Sequence, residues 1–121
     1  MTAYEFIGKL LMDMPKPSPT STFTMQHKND HHLTHWINTD YCEVKPGKVI
    51  LGVSIVDDDP EENYIDTIWK LKHYFLKNNI KRSDIVYIAT DSTLRQTGEY
   101  PIKDFDVKIG NTPNECNIIC R

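Results

Sequence analysis

His27, His31, His32 and His35 fall within nine positions, and the step of four from His31 to His35 would let two imidazoles reach one zinc ion from a helical turn. Cys116 and Cys120 could add sulfur ligands. Zinc sites in small proteins usually pair cysteines across a tight turn, however, and Asn117-Ile118-Ile119 between these two has the makeup of a strand. On one strand face they would stand about 13 Å apart, at roughly 3.3 Å per residue, too far for a disulfide. A histidine-rich polar loop and two small core thiols is the simpler expectation. A second group sits at the ends of two apolar runs, where Val56 precedes Asp57 and Thr90 precedes Asp91. Converging there, Asp57, Asp59 and Asp91 could hold magnesium for phosphoryl transfer. Asp57 to Asp59 also suit a linker and helix cap, and Asp91-Ser92 suits a turn. No general base, glycine-rich phosphate loop or nucleophile elbow accompanies them, so no catalytic residue is assigned and no cofactor is implied. A metal-binding module or small metal-dependent phosphoryl-transfer enzyme is kept as the alternative.

Recognition of a macromolecule is the other chemistry to weigh. Lys70, Lys72, Lys77, Lys81 and Arg82 interleave with Trp69, His73 and Tyr74, a mixture that could meet phosphate. It also describes the solvated side of an amphipathic helix with cations near its C-terminal end, which is preferred. The net charge of -3 and pI near 5.9 argue against a dedicated nucleic-acid binder, which needs a concentrated basic face. The first sixty residues carry all of that negative charge, and the rest of the chain is neutral. Should the partner be a protein, Asp57, Asp58, Asp59, Trp36 and Tyr100 are the candidate contact residues. Trp36 and Trp69 suit a core or repeat interface better than a ligand cage. No apolar run could span a membrane, Met1-Thr2-Ala3-Tyr4-Glu5 lacks a signal-peptide start, and three cysteines suit a reducing compartment, so a cytoplasmic location is expected.

The elements that must position these residues follow from local patterns. Thr2 and Glu5 form a capping box ahead of Phe6, Ile7, Leu10, Leu11 and Met14 at helical spacing, and Pro15 ends the run. Thr22 to Met25 alternates as a strand does. Trp36 to Val44 reads as a strand, Pro46-Gly47 as a turn, and Val49 to Val56 as a central strand covered on both faces. Asp57 to Glu62 should cap a second helix with proline at its first position, running through Ile65, Ile68, Trp69, Leu71, Phe75 and Leu76 to a left-handed stop at Asn78-Asn79. Ile85 to Ala89, Phe105 to Ile109 and Asn117 to Cys120 should be strands, with a turn over Gln96 to Glu99.

Helix, strand, strand, strand thus occurs twice. Ile7-Gly8-Lys9-Leu10 is echoed by Ile68-Trp69-Lys70-Leu71, the stretch from Ser21 by that from Ser83, and Asp40 to Gly47 by Asp104 to Gly110, at spacings of about 61 to 64 residues. The expectation is an α+β protein of mostly antiparallel sheet. Two tandem pseudo-repeats, 1–56 and 61–121, joined by a linker and cap at 57–60, would share one core in a single domain of 121 residues, 39% of them apolar and 26% charged.

Lys9-Leu10-Leu11-Met12-Asp13-Met14-Pro15 followed by a strand and a polar hairpin, together with Tyr100-Pro101-Ile102-Lys103-Asp104-Phe105-Asp106-Val107, resembles small uncharacterised accessory proteins of phages and mobile elements. That resemblance implies a non-enzymatic role, the inhibition of a host defence system by occupying a partner's surface. It carries over no site residue. A toxin-neutralising immunity protein, its acidic first half facing a basic active site, is a close variant. A homodimer formed through exposed strand edges is a further option.

Overall fold

The computed structural model of the chain describes residues 1–15, 17–29, 35–55, 63–89, 99–112 and 114–121. Helix α1 (Ala3–Asp13) begins at the expected capping box: the Thr2 hydroxyl accepts the Glu5 amide at 3.2 Å and the Glu5 carboxylate accepts the Thr2 amide at 2.9 Å. It buries Ala3, Phe6 and Leu10 and stops at Met14, just before Pro15. Strand β1 (Thr22–His27) follows, with Phe23, Met25 and His27 turned inward by the two-residue period.

The stretch expected as one strand from Trp36 to Val44 is two strands with a turn between. β2 (His35–Asn38) and β3 (Glu43–Lys45) both run antiparallel to β4 (Lys48–Ile55), but Trp36 faces Ser54 and Ile37 faces Val53, whereas Glu43 faces Ile50. The β2–β3 stretch holds more residues than the part of β4 it faces, and the excess forms a 3-10 turn at Thr39–Tyr41. Room for that turn comes from Gly52, where a Cβ would collide with the Tyr41 backbone. Two polar groups released from the ladder meet the Cys42 sulfur: the Gly52 amide donates to it and its thiol donates to the Asn38 carbonyl, each at 3.3 Å. Gly47, at φ 75°, completes the expected Pro46-Gly47 turn between β3 and β4.

The second helix begins later than its sequence signals suggested. A two-residue strand, β5 (Tyr64–Ile65), pairs with β2, and α2 (Ile68–Lys77) starts from Thr67, whose hydroxyl accepts the Lys70 amide at 3.1 Å. Ile65 is therefore a sheet residue. Tyr64 and Ile65 are buried there, opposite Asn38 and Ile37 respectively. The proposed linker and cap at 57–60 lies outside the described residues. At its other end α2 closes as expected: Asn79 takes φ 55°, the Ile80 amide reaches the Phe75 carbonyl at 2.9 Å, and the Asn79 amide reaches Leu76 at 3.2 Å.

The remaining strands are β6 (Ile85–Ala89), β7 (Glu99–Pro101), β8 (Phe105–Ile109) and β9 (Glu115–Cys120). They build two mixed sheets, one in the order β1-β9-β8 and one in the order β5-β2-β4-β6-β7 with β3 also on β4. β1 runs parallel to β9 and β4 parallel to β6, while the other described ladders are antiparallel. The chain is α+β. One apolar cluster draws on both helices and both sheets, from Phe6 and Leu10 through Phe23, Leu51 and Leu71 to Ile88 and Ile118. Phe6 meets Phe105 edge to face at 5.3 Å, tying α1 to β8.

Several contacts occur in matched pairs. The helix caps Thr2 and Thr67 bridge the first residues of β6 and β1 respectively, through Thr2 with Ile85 and Thr67 with Thr22. The Val86 amide donates to the Met1 carbonyl at 3.0 Å, and the Phe23 amide to the Asp66 carbonyl at 2.8 Å. The buried helix residues Ala3, Phe6 and Leu10 stand at the same positions as Ile68, Leu71 and Phe75. This alignment sits one helical turn away from the match of Ile7–Leu10 with Ile68–Leu71.

Candidate partner-binding groove

Both helices bury a narrow stripe and leave large apolar residues outside it. On α1, Tyr4 is 64% exposed and Met12 85%; on α2, Leu76 is 77% exposed and Trp69 45%. Trp69 was expected in the core, but helical geometry turns inward the stripe of Ile68, Leu71 and Phe75, and Trp69 lies off it. Between the helices runs an open groove of about 560 Å³. Ile7, Gly8 and Leu11 line it from α1, and Phe75, Leu76 and Ile80 from α2 and the turn after it. A Cβ at Gly8 would meet nothing within 4 Å, so this residue leaves the α1 wall low.

Lys72, Lys81 and Arg82 stand at the rim. Among the described residues none of the three forms a salt bridge, in contrast to Lys70, which is held by Asp66 at 2.9 Å. Lys72 lies 5.5 Å from the centre of the Trp69 ring, and the Arg82 guanidinium 5.4 Å from that of Tyr4, so two of these cations rest on aromatic surface. The result is an apolar trough edged by three cations that have no salt-bridge partner among the described residues, on a chain that is acidic as a whole. Such a surface can bury apolar side chains and attract carboxylates.

The residues singled out from sequence do not gather there. His31, Asp57, Asp58, Asp59 and Asp91 lie outside the described residues, and so does the side chain of His35, whose backbone opens β2. Cys116 and Cys120 share the inward face of β9 with Ile118. Burial raises both thiols and pushes Cys120 up to about 12, so they remain protonated at neutral pH and pack as small apolar groups. No group of three or more potential metal ligands occurs among the described residues. Trp36 is half-buried and lines a shallow cleft of about 420 Å³ with Thr24 and Asn117. Tyr100 belongs to other surroundings: its ring stacks on that of the buried His27 at 4.2 Å, linking β7 to β1. A shallow hollow beside α2, lined by Trp69, His73, Tyr74 and Lys77, contains part of the basic-aromatic stretch noted in the sequence.

Two features escaped sequence reasoning. The groove had a signal in Tyr4 and Leu76, apolar residues off the buried helical stripes. Cys42 had none. Burial pushes its thiol up to about 11, and it also bonds to Tyr74, whose hydroxyl burial pushes up to about 12. Cys42 is thus a structural thiol and a poor nucleophile at neutral pH.

Comparison with protein-family models, curated proteins and solved structures finds no match to this chain. No described helix is long and apolar enough to cross a membrane.

Proposed function

We propose that this chain acts by binding another protein, taking an acidic amphipathic helix of its partner into the groove between α1 and α2. The observation that carries this reading is the conjunction of the exposed groove residues Tyr4 and Leu76 with Lys72, Lys81 and Arg82 beside them, cations that form no salt bridge among the described residues. A helix presenting leucines on one side and glutamates along its flanks matches both halves of that surface. Nucleic acid would supply the charge but no aliphatic face for the trough. Inhibition of a host defence system would be this same act in a phage setting. The immunity-protein variant would use the acidic first half of the chain, of which Asp57 to Asp59 lie outside the described residues.

We further propose that the chain is a pair of related units that have exchanged strands. Each would give the strand that follows its helix, β1 or β6, to run parallel with the last strand of the other's hairpin, β9 or β4. The matched caps and bridges at Thr2 and Thr67 support this. β2 and β7 depart from the symmetry, since β2 pairs with β4 whereas β7 pairs with β6.

The binding proposal is tested by fluorescence anisotropy with an acidic amphipathic helical peptide and a lysine-for-glutamate version of it. The acidic peptide should bind at least tenfold tighter, an advantage that shrinks with salt. Equal affinity for the two peptides would refute the reading.

A further inference from the structure

Strand β8 ends the three-stranded sheet, and among the described residues nothing pairs with its outer side. Its hydrogen-bond phase is known from its ends. Asp104 and Arg121 exchange two backbone bonds, at 2.9 and 3.2 Å, and the Gly110 amide donates to the Glu115 carbonyl at 2.7 Å. Because an antiparallel ladder alternates, Asp106 and Lys108 direct their backbone groups toward β9, and Phe105, Val107 and Ile109 direct theirs outward. The Phe105 amide is taken by the Asp104 carboxylate at 2.8 Å, leaving Val107 and Ile109 with outward amides. Ile109 is 61% exposed on this edge.

We infer that two copies of the chain associate through β8, antiparallel about a two-fold axis at Val107, to form a continuous six-stranded sheet. Charge selects both the occupant and the register. With Val107 facing its symmetry mate, Asp106 of each copy lies opposite Lys108 of the other. Moving the axis to Asp106 sets aspartate against aspartate, and moving it to Lys108 sets lysine against lysine. Only the Val107 register is self-complementary, as an isologous interface requires. Lys108 forms no salt bridge within the described chain, while Arg121 holds Asp106 through two bonds at 3.0 and 3.2 Å. A second copy would extend that pair to an Arg121–Asp106–Lys108 row across the seam. Reciprocal Val107 bonds and an Ile109 amide to each Phe105 carbonyl complete the ladder, and Ile109 is covered by the partner strand. This edge shares no residue with the helix groove, so the two proposals stand or fall separately.

An edge this short makes a small interface, and association in the micromolar range is expected. Sedimentation velocity across micromolar to submillimolar protein should show a reversible monomer–dimer equilibrium. Lys108→Asp should weaken it about tenfold or more, since two attractive pairs become repulsive. Asp106→Lys should do the same. The double variant should restore dimerisation, and the two single variants mixed together should form a heterodimer. Far-UV circular dichroism checks folding, which the exposed sites Asp106 and Lys108 should not disturb. A protein that stays monomeric throughout, a dimer indifferent to Lys108→Asp, or a double variant that fails to recover would each overturn the inference.

Discussion

Alanine in place of glycine should act in opposite directions at two positions of this chain. At Gly52 the added methyl would run into the backbone carbonyl of Tyr41, a group fixed in the 3-10 turn that crosses β4, so no side-chain rotation relieves the clash. Overpacking of this kind costs about 1–3 kcal/mol. The turn can move only by pulling Cys42 from the Gly52 amide and the Asn38 carbonyl, and stranding such groups adds about 1 kcal/mol or more. A total near 3 kcal/mol should lower the urea midpoint by about 1.5 M, taking a slope near 2 kcal/mol/M. At Gly8 the same methyl meets nothing, and replacing a mid-helix glycine by alanine should gain about 0.8 kcal/mol, raising the midpoint by about 0.4 M. Urea unfolding followed by circular dichroism at pH 7 reads both values. A Gly52→Ala protein as stable as the parent, or a shift of both variants in one direction, would refute the account of the β2–β3 interruption.

Cys42→Ala should destabilise by about 2 kcal/mol, because the Gly52 amide and Asn38 carbonyl lose their shared partner; differential scanning calorimetry would measure this. The carboxyl of Asp104 is held below its usual value by the Phe105 amide and then by Lys9, Glu5 by bonds to Thr2, and Glu99 by Lys48. Their stabilisation is present above the ordinary carboxyl range, near pH 4, and is lost as pH falls through the lower folded values, so the melting temperature should fall on acidification below about pH 4. Cys120 shows the reverse sign, with a folded value near 12 above the unfolded thiol's: its contribution is intact below about pH 8.5 and declines as pH rises toward 12. Cys120→Ala should flatten that alkaline loss in a series of melts, and an unchanged slope would count against burial as its cause.

What could be read from the sequence was what short-range chemistry determines. The capping box at Thr2, the alternation of β1, the Pro46-Gly47 turn and the left-handed Asn79 each depend on neighbours along the chain, and each is present. The start of α2 misled because Asp57 to Glu62 carries strong capping signals, while Ile65 takes its conformation from a distant strand, facing Ile37. Parallel pairing of β1 with β9 and of β4 with β6 depends on which strands meet, which no local pattern encodes. The groove was visible only in part. Tyr4, Met12, Trp69 and Leu76 look like core residues in a list of apolar positions, and only the buried stripe of each helix separates them from it. Cys42 bonds to groups that become free only where the pairing with β4 is interrupted between β2 and β3, so its role arises with the fold.

The claim that the groove is where this protein meets its partner is tested most directly by blocking it without disturbing the core. Gly8→Gln fills the α1 wall where no atom stands, and Lys81→Glu reverses charge at the rim. Binding of the acidic amphipathic peptide should weaken at least tenfold in each variant, with the urea midpoint unchanged or higher for Gly8→Gln. Undiminished binding by both variants would contradict the account.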